Sequence, residues 1–203
     1  MKPNEIETLS FKIIDKEAGQ HKFSEQEWKI VQRMIHTSAD FEYIESVRFH
    51  PEAISSGINA LRTGKKIITD TNMAKAGIRK NDLEQFGAQV KCFITDPEIE
   101  RIASKNGITR AKAAVDAAIA DMQDGIYLVG NAPTALLRLI ELIKEKKANP
   151  ALIIGLPVGF VNAAESKAAL LDLNHPYITN NGRKGGSNVA ASVVNALIKL
   201  SLL

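Results

Sequence analysis

The sequence predicts an α/β protein in which a parallel sheet of five strands is covered on both faces by helices. Three observations carry that reading. Five short apolar runs have the length and composition of buried strands, they alternate with longer segments of helical period, and glycine-rich turns follow the last three.

Two helices, over about 5–18 and 24–37, precede the first strand. Ser24 and Glu27 have the spacing of a capping box, and Trp28, Val31 and Ile35 then recur at helical spacing toward an end near His36. His50-Pro51 opens a further helix that stops near Gly64. The strands are KIITD around Ile67, VKCFI around Cys92, GIYLVG around Leu128, ALIIGL around Ile153 and the short YIT of Tyr177 to Thr179. Asp96 is an N-cap followed by Pro97 at the first helical position, and Thr109 in NGITRAKAA is another N-cap. KEKK at 144–147 reads as a solvated helix end, where lysines complement the dipole. Together these elements make a three-layer α/β/α, flavodoxin-like, doubly wound sheet with extra N-terminal helices, placed to cover a cleft or to build a dimer interface.

The chain of 203 residues is read as one domain, 1–203, with 45% hydrophobic and 24% charged residues. No apolar run reaches the roughly 18–20 residues of a membrane span, and charges interrupt MKPNEIETLSFKIIDKE every few residues, so neither a membrane nor export is expected. Cys92 is the single cysteine, which excludes an internal disulfide and a multi-cysteine metal site and suits the cytoplasm; in VKCFI it reads as a small buried side chain. The net charge of +3 is spread along the chain rather than massed in one arm, which argues against nucleic acid and is compatible with a small polyanionic ligand.

In doubly wound sheets ligands bind beyond the carboxyl ends of the strands. GNAPTALL, with Gly130 and Asn131, GLPVGFVNAAES, with Gly159 and Phe160, and NGRKGGSNVAAS each lead from a strand into a helix there, so their backbone N–H groups can face an anion. In the last, Arg183 and Lys184 flank Gly185, Gly186 and Ser187; they read either as a carboxylate clamp or as solvated loop charge. No Walker lysine or GxGxxG fingerprint indicates a nucleotide. His21, His50 and His175 read as structural or solvated. His36, with Arg33 one turn earlier, has the position of a capping or packed histidine, although an imidazole titrating near neutrality is also a natural proton donor. Arg110 sits in the first turn of a helix, against its dipole, so it needs an anionic neighbour or ligand.

These segments, taken together, resemble the precorrin-8X methylmutases, also called precorrin isomerases or cobalt-precorrin-8 methylmutases. The resemblance is carried by Ser10-Phe11, RMIHTSAD with His36, TDTNMAKAGI at 69–78, TRAKAAV at 109–115, GNAPTAL at 130–136, GLPVGFVNAAESK at 155–167 and GRKGGSNVAA at 182–191. It implies a flavodoxin-like homodimer that shifts a methyl group from carbon 11 to carbon 12 of the macrocycle, giving hydrogenobyrinate or its cobalt counterpart. It implies no redox cofactor, no protein metal site, and any cobalt carried by the substrate. His36 then matches the acid that protonates the ring system, and Ser10, Arg33 and Arg110 match contacts to the substrate's carboxylate arms or ring. Gly159, Phe160 and Val161 would form an apolar wall, or Phe160 and Val161 would equally pack in the core. Two rivals remain at this stage: a tetrapyrrole carrier that binds without converting, and an FMN carrier, which the lack of a Ser/Thr-rich phosphate loop after the first strand disfavours.

Overall fold

The computed structural model describes residues 2–203. In chain order the elements are α1 (Pro3–Ala18), α2 (Glu25–Ser38), α3 (Tyr43–Ser46), β1 (Val47–Phe49), α4 (Ala53–Arg62), β2 (Ile67–Thr69), α5 (Asn72–Gly77), α6 (Lys80–Glu84) and β3 (Val90–Lys91). Then follow α7 (Pro97–Asn106), α8 (Arg110–Ala117), β4 (Ile126–Val129), α9 (Pro133–Lys144), β5 (Leu152–Gly155), α10 (Ala163–Leu171), β6 (Tyr177–Asn180) and α11 (Ser187–Ser201).

Among the described residues the sheet has six strands, in the order β1-β6-β5-β4-β2-β3, and not the five expected. The five expected strands are all present and mutually parallel. The sixth, β1, runs antiparallel to β6, pairing Val47 with Asn180 and Phe49 with Ile178. Three residues with an exposed Arg48 in the middle carry no alternation long enough to read from sequence. The expectation that only helices precede the strand at Ile67 is corrected with it.

Side chains of successive strand residues face opposite layers. Ile126 and Leu128 enter the core under α2, α4 and α11, whereas Tyr127 and Val129 enter the core under α8, α9 and α10. Both faces are apolar, so the strands read as continuous hydrophobic runs. The added helices stack outward: α2 lies along α11 and α1 along α2. Asp15 of α1 fastens that stack, accepting from the Trp28 indole at 2.8 Å and the Gln32 amide at 2.6 Å.

The expected caps form where their side chains reach backbone amides. Ser24 accepts from the Glu27 amide and Glu27 returns to the Ser24 amide at 2.8 Å, while Thr109 accepts from the Lys112 amide at 3.1 Å. Asp96 precedes α7 but its side chain makes no capping bond. Cys92 follows the two-residue β3 and is half-buried rather than buried. The three other histidines are structural. His21 stacks on Trp28 at 4.0 Å, His50 meets the Tyr177 ring edge-on at 5.7 Å, and His175 Nε2 lies 2.5 Å from the Pro150 carbonyl.

Candidate functional site

Strand order reverses between β2 and β4, because β3 is added on one side and β5 and β6 on the other. At such a switch point two strand-to-helix turns diverge and leave a crevice open to a ligand. Here the protein fills it with its own carboxylate. Asp70, directly after β2 and 3% exposed, accepts from the backbone amides of Gly130 at 2.9 Å and of Asn131 and Ala132 at 2.8 Å each. Burial pushes the Asp70 carboxyl up from its ordinary value, and the three amides pull it back. The expectation that Gly130 and Asn131 offer their amides to a ligand is therefore corrected: Asp70 occupies them, and what Asn131 presents outward is its exposed side chain. The sequence signal for Asp70 is its place at the strand end in TDTN, but its partners lie 60 residues away.

The three glycine-rich turns lock into one another along this edge. A Cβ on Gly130 would lie 2.7 Å from Ser187 Cα, and one on Gly185 would strike the Leu156 carbonyl, so both close approaches require glycine. Ser187, at the start of α11, bonds Thr71 Oγ at 2.8 Å, and Gly186 donates to the Leu156 carbonyl at 2.9 Å. Gly159 donates to the Arg183 carbonyl at 3.2 Å. Ser187 and Gly186 are thus buried structural joints rather than free anion contacts.

What stands out from this locked edge is apolar and cationic. Phe160 is 84% exposed, Val161 78% and Met73, which the sequence reading passed over, 73%. Of the two alternatives for Phe160 and Val161, core packing is excluded. The Arg183 guanidinium lies 5.5 Å from the Phe160 ring centre, a cation–π distance. Arg110 is exposed in the first turn of α8, and its cap Thr109 bonds Thr134 at 3.0 Å in the first turn of α9, bringing the two helix starts side by side.

His36, Arg33 and Ser10 lie on the α1–α2 stack. His36 is exposed in the last turn of α2, so it is not buried, and one side of its ring packs against that of Phe11 at 5.1 Å. Arg33 lies over the same Phe11 ring at 4.6 Å and pairs with Glu7 at 2.5 Å. Burial would raise the Glu7 carboxyl, but the Arg33 guanidinium and the Lys199 ammonium hold it below its ordinary value. The Ser10 hydroxyl donates to the Ile6 carbonyl at 2.9 Å, beside Phe11. A groove of about 430 Å³ runs from Phe11 and Arg33 to Lys199 and Leu203; His36 is not part of its lining.

One lysine joins the two groups. Lys184, in the turn after β6, reaches Asp40 at 2.6 Å and Glu42 at 2.7 Å, just beyond the end of α2. Asp40 and Glu42 raise the Lys184 ammonium above its ordinary value. Asp40 and Glu42 follow the left-handed cap Ala39 that ends α2, shortly after His36 in the chain. The helix end bearing His36 is thereby seated at the sheet edge that carries Arg183 and Phe160.

Residues 5–200 match the model of the family described as precorrin-8X methylmutase. The chain belongs to that family. A cobalt-precorrin-8 methylmutase from Priestia megaterium is 48% identical over 97% of this chain and 88% of its own length. Another protein of that name, from Leptospira interrogans, is 43% identical over 97% of this chain and 93% of its own. A crystal structure of precorrin-8X methylmutase from Thermus thermophilus superposes with a TM-score of 0.91, at 44% identity, over 98% of this chain and 96% of that one. The turns within GNAPTAL, GLPVGFVNAAESK and GRKGGSNVAA meet at one mutually fastened sheet edge, whereas Ser10-Phe11 and RMIHTSAD lie on the α1–α2 stack. Among the described residues no three His, Cys, Asp or Glu side chains gather as a metal site, and no helix is long and apolar enough to cross a membrane.

Proposed function

We propose that this chain isomerises a precorrin-8X-type macrocycle, with or without cobalt, by moving a methyl group from carbon 11 to carbon 12. The observation that carries the proposal is the match along nearly the whole chain to methylmutases, joined to an exposed histidine seated at an edge of apolar and cationic side chains. The two curated relatives named above are cobalt-precorrin-8 enzymes, which favours the cobalt form, with the metal entering inside the substrate.

The chemistry asks little of the protein beyond placement and one proton. The bond from the methyl group to carbon 11 breaks as its bond to carbon 12 forms, so no atom is gained or lost. The His36 imidazolium lends a proton to the conjugated ring and recovers it afterwards. The resulting cation is electron-poor, which lowers the barrier to migration. Phe160, Val161 and Gly159 form a wall for the apolar ring, while Arg183, Arg110 and Arg33 meet its carboxylate arms. Ser10 and the Asn131 side chain add polar contacts.

The five parallel strands, ordered 2-1-3-4-5 in chain sequence, support a flavodoxin-like core extended by β1, and the cores on both faces of one sheet support a single domain. Asp70 in the switch-point crevice speaks against an FMN carrier. Ile6, Leu9 and Ile13, exposed on one face of α1, support a homodimer paired through that helix.

The test is an anaerobic absorbance time course with precorrin-8X and with its cobalt form, comparing natural protein with His36→Ala and identifying the product by NMR. Conversion by the natural protein alone is expected. Tight binding without conversion of either form leaves a tetrapyrrole carrier, and undiminished conversion by His36→Ala removes His36 as the acid.

A further inference from the structure

Lys167, on α10, is 1% exposed and takes no part in the chemistry above. Its ammonium rises beneath the turn after β6, donating to Asn180 Oδ1 at 3.1 Å and to the Lys184 carbonyl at 2.6 Å. Asn180 donates to that same carbonyl at 3.0 Å, so two buried donors converge on one peptide group. Among the described residues Lys167 has no carboxylate within ion-pair distance. The charged groups of the turn above it are engaged elsewhere: Lys184 with Asp40 and Glu42, and Arg183 over Phe160. Glu165, on its own helix, is exposed.

A buried ammonium held only by neutral oxygens carries a desolvation cost that a neutral side chain of similar shape would avoid. The arrangement gives two things in return. It fixes the peptide between Lys184 and Gly185, and it places an uncompensated positive charge under a turn that faces a polycarboxylate. We propose that Lys167 is a positioning residue of the substrate site: its ammonium sets the path of the turn from Arg183 to Gly186, and through it the places of Arg183 and of the Lys184 anchor that seats His36. The inference rests on the isomerase reading for its substrate. Burial lowers the Lys167 ammonium to about 8, so its proton is lost just above neutrality, where substrate carboxylates remain ionised.

The experiment compares natural protein with Lys167→Met and Lys167→Gln, the second guarding against misfolding of the first. Two measurements are made: turnover of cobalt-precorrin-8 from pH 7 to 9, and the rate of trypsin cleavage after Arg183 and Lys184 without substrate. Both variants are expected to raise KM about tenfold at pH 7, the effect of one lost charge-assisted hydrogen bond, with kcat within threefold. Their KM stays flat to pH 9, whereas that of the natural protein climbs to meet it, and cleavage of the turn quickens about tenfold. Unchanged cleavage, or variant and natural KM profiles that run parallel in pH, overturns the proposal. Failure of the natural protein to convert substrate overturns the isomerase reading instead, and cleavage alone then decides whether Lys167 holds the turn.

Discussion

Replacing Asp70 by asparagine tests whether the switch-point crevice is held shut from inside. The carboxylate accepts three backbone hydrogen bonds, at 2.9, 2.8 and 2.8 Å, at a site 3% exposed. An asparagine keeps the shape but only one acceptor oxygen. If that oxygen serves Asn131 and Ala132, its NH2 group faces the Gly130 amide, donor against donor. One charge-assisted bond is lost, about 2–3 kcal/mol, and two are demoted to neutral ones, about 0.5–1 kcal/mol each. Relief of the buried charge returns about 1–2 kcal/mol. The net loss is about 2–3 kcal/mol, which for a chain of this length lowers Tm by roughly 4–12 °C. Urea unfolding at pH 7 measures it. Asp70→Ala should lose more, and millimolar formate, which can enter the vacated amide cradle, should return part of the stability of that variant alone. An Asp70→Asn protein within about 0.5 kcal/mol of the natural one, together with an Asp70→Ala protein indifferent to formate, would refute the cradle.

Phe160→Ala removes an exposed ring, so stability should stay within about 0.5 kcal/mol while affinity for the macrocycle, read by absorbance titration, falls about tenfold. Gly130→Ala sets a methyl group against the α11 backbone at Ser187 and should cost about 1–3 kcal/mol in urea unfolding; a neutral effect would mean that the two turns are not in contact. For Lys167 the folded chain is the weaker base, about 8 against 10.5, so its penalty is complete below pH 8 and fades as pH rises toward 10.5. From pH 7 to pH 10 the natural protein should therefore gain about 2 kcal/mol relative to Lys167→Met in paired urea titrations. No change in that difference would place the ammonium in water.

The strands at Ile67, Leu128 and Ile153 and the helix capped by Ser24 were legible in the sequence because their signals are local. Apolar runs, helical period and a side chain three residues from the amide it caps all lie within a few residues of one another. The glycine-rich turns were legible as connections, and their common edge follows from the rule for parallel strands. Their use was not. Gly130 reads as an anion site until Asp70, from a different turn, is seen to occupy its amide. β1 escaped because three residues carry no period, and its pairing with β6 is made across more than 120 residues of chain. His36 reads as a capping or packed histidine, and only the fold shows it exposed beside the Phe11 ring, with Lys184 tying the chain just after α2 to the turn after β6. Lys167 reads as one more helical lysine, since nothing within α10 tells that its ammonium ends beneath the turn after β6. The sequence by itself determined the five parallel strands, the longer helices with local signals and, through its long motifs, the family. Only the tertiary structure decided which polar groups are spent on one another and which face a ligand, because a hydrogen bond is allotted by distance in space, and the partners here lie on different turns and helices.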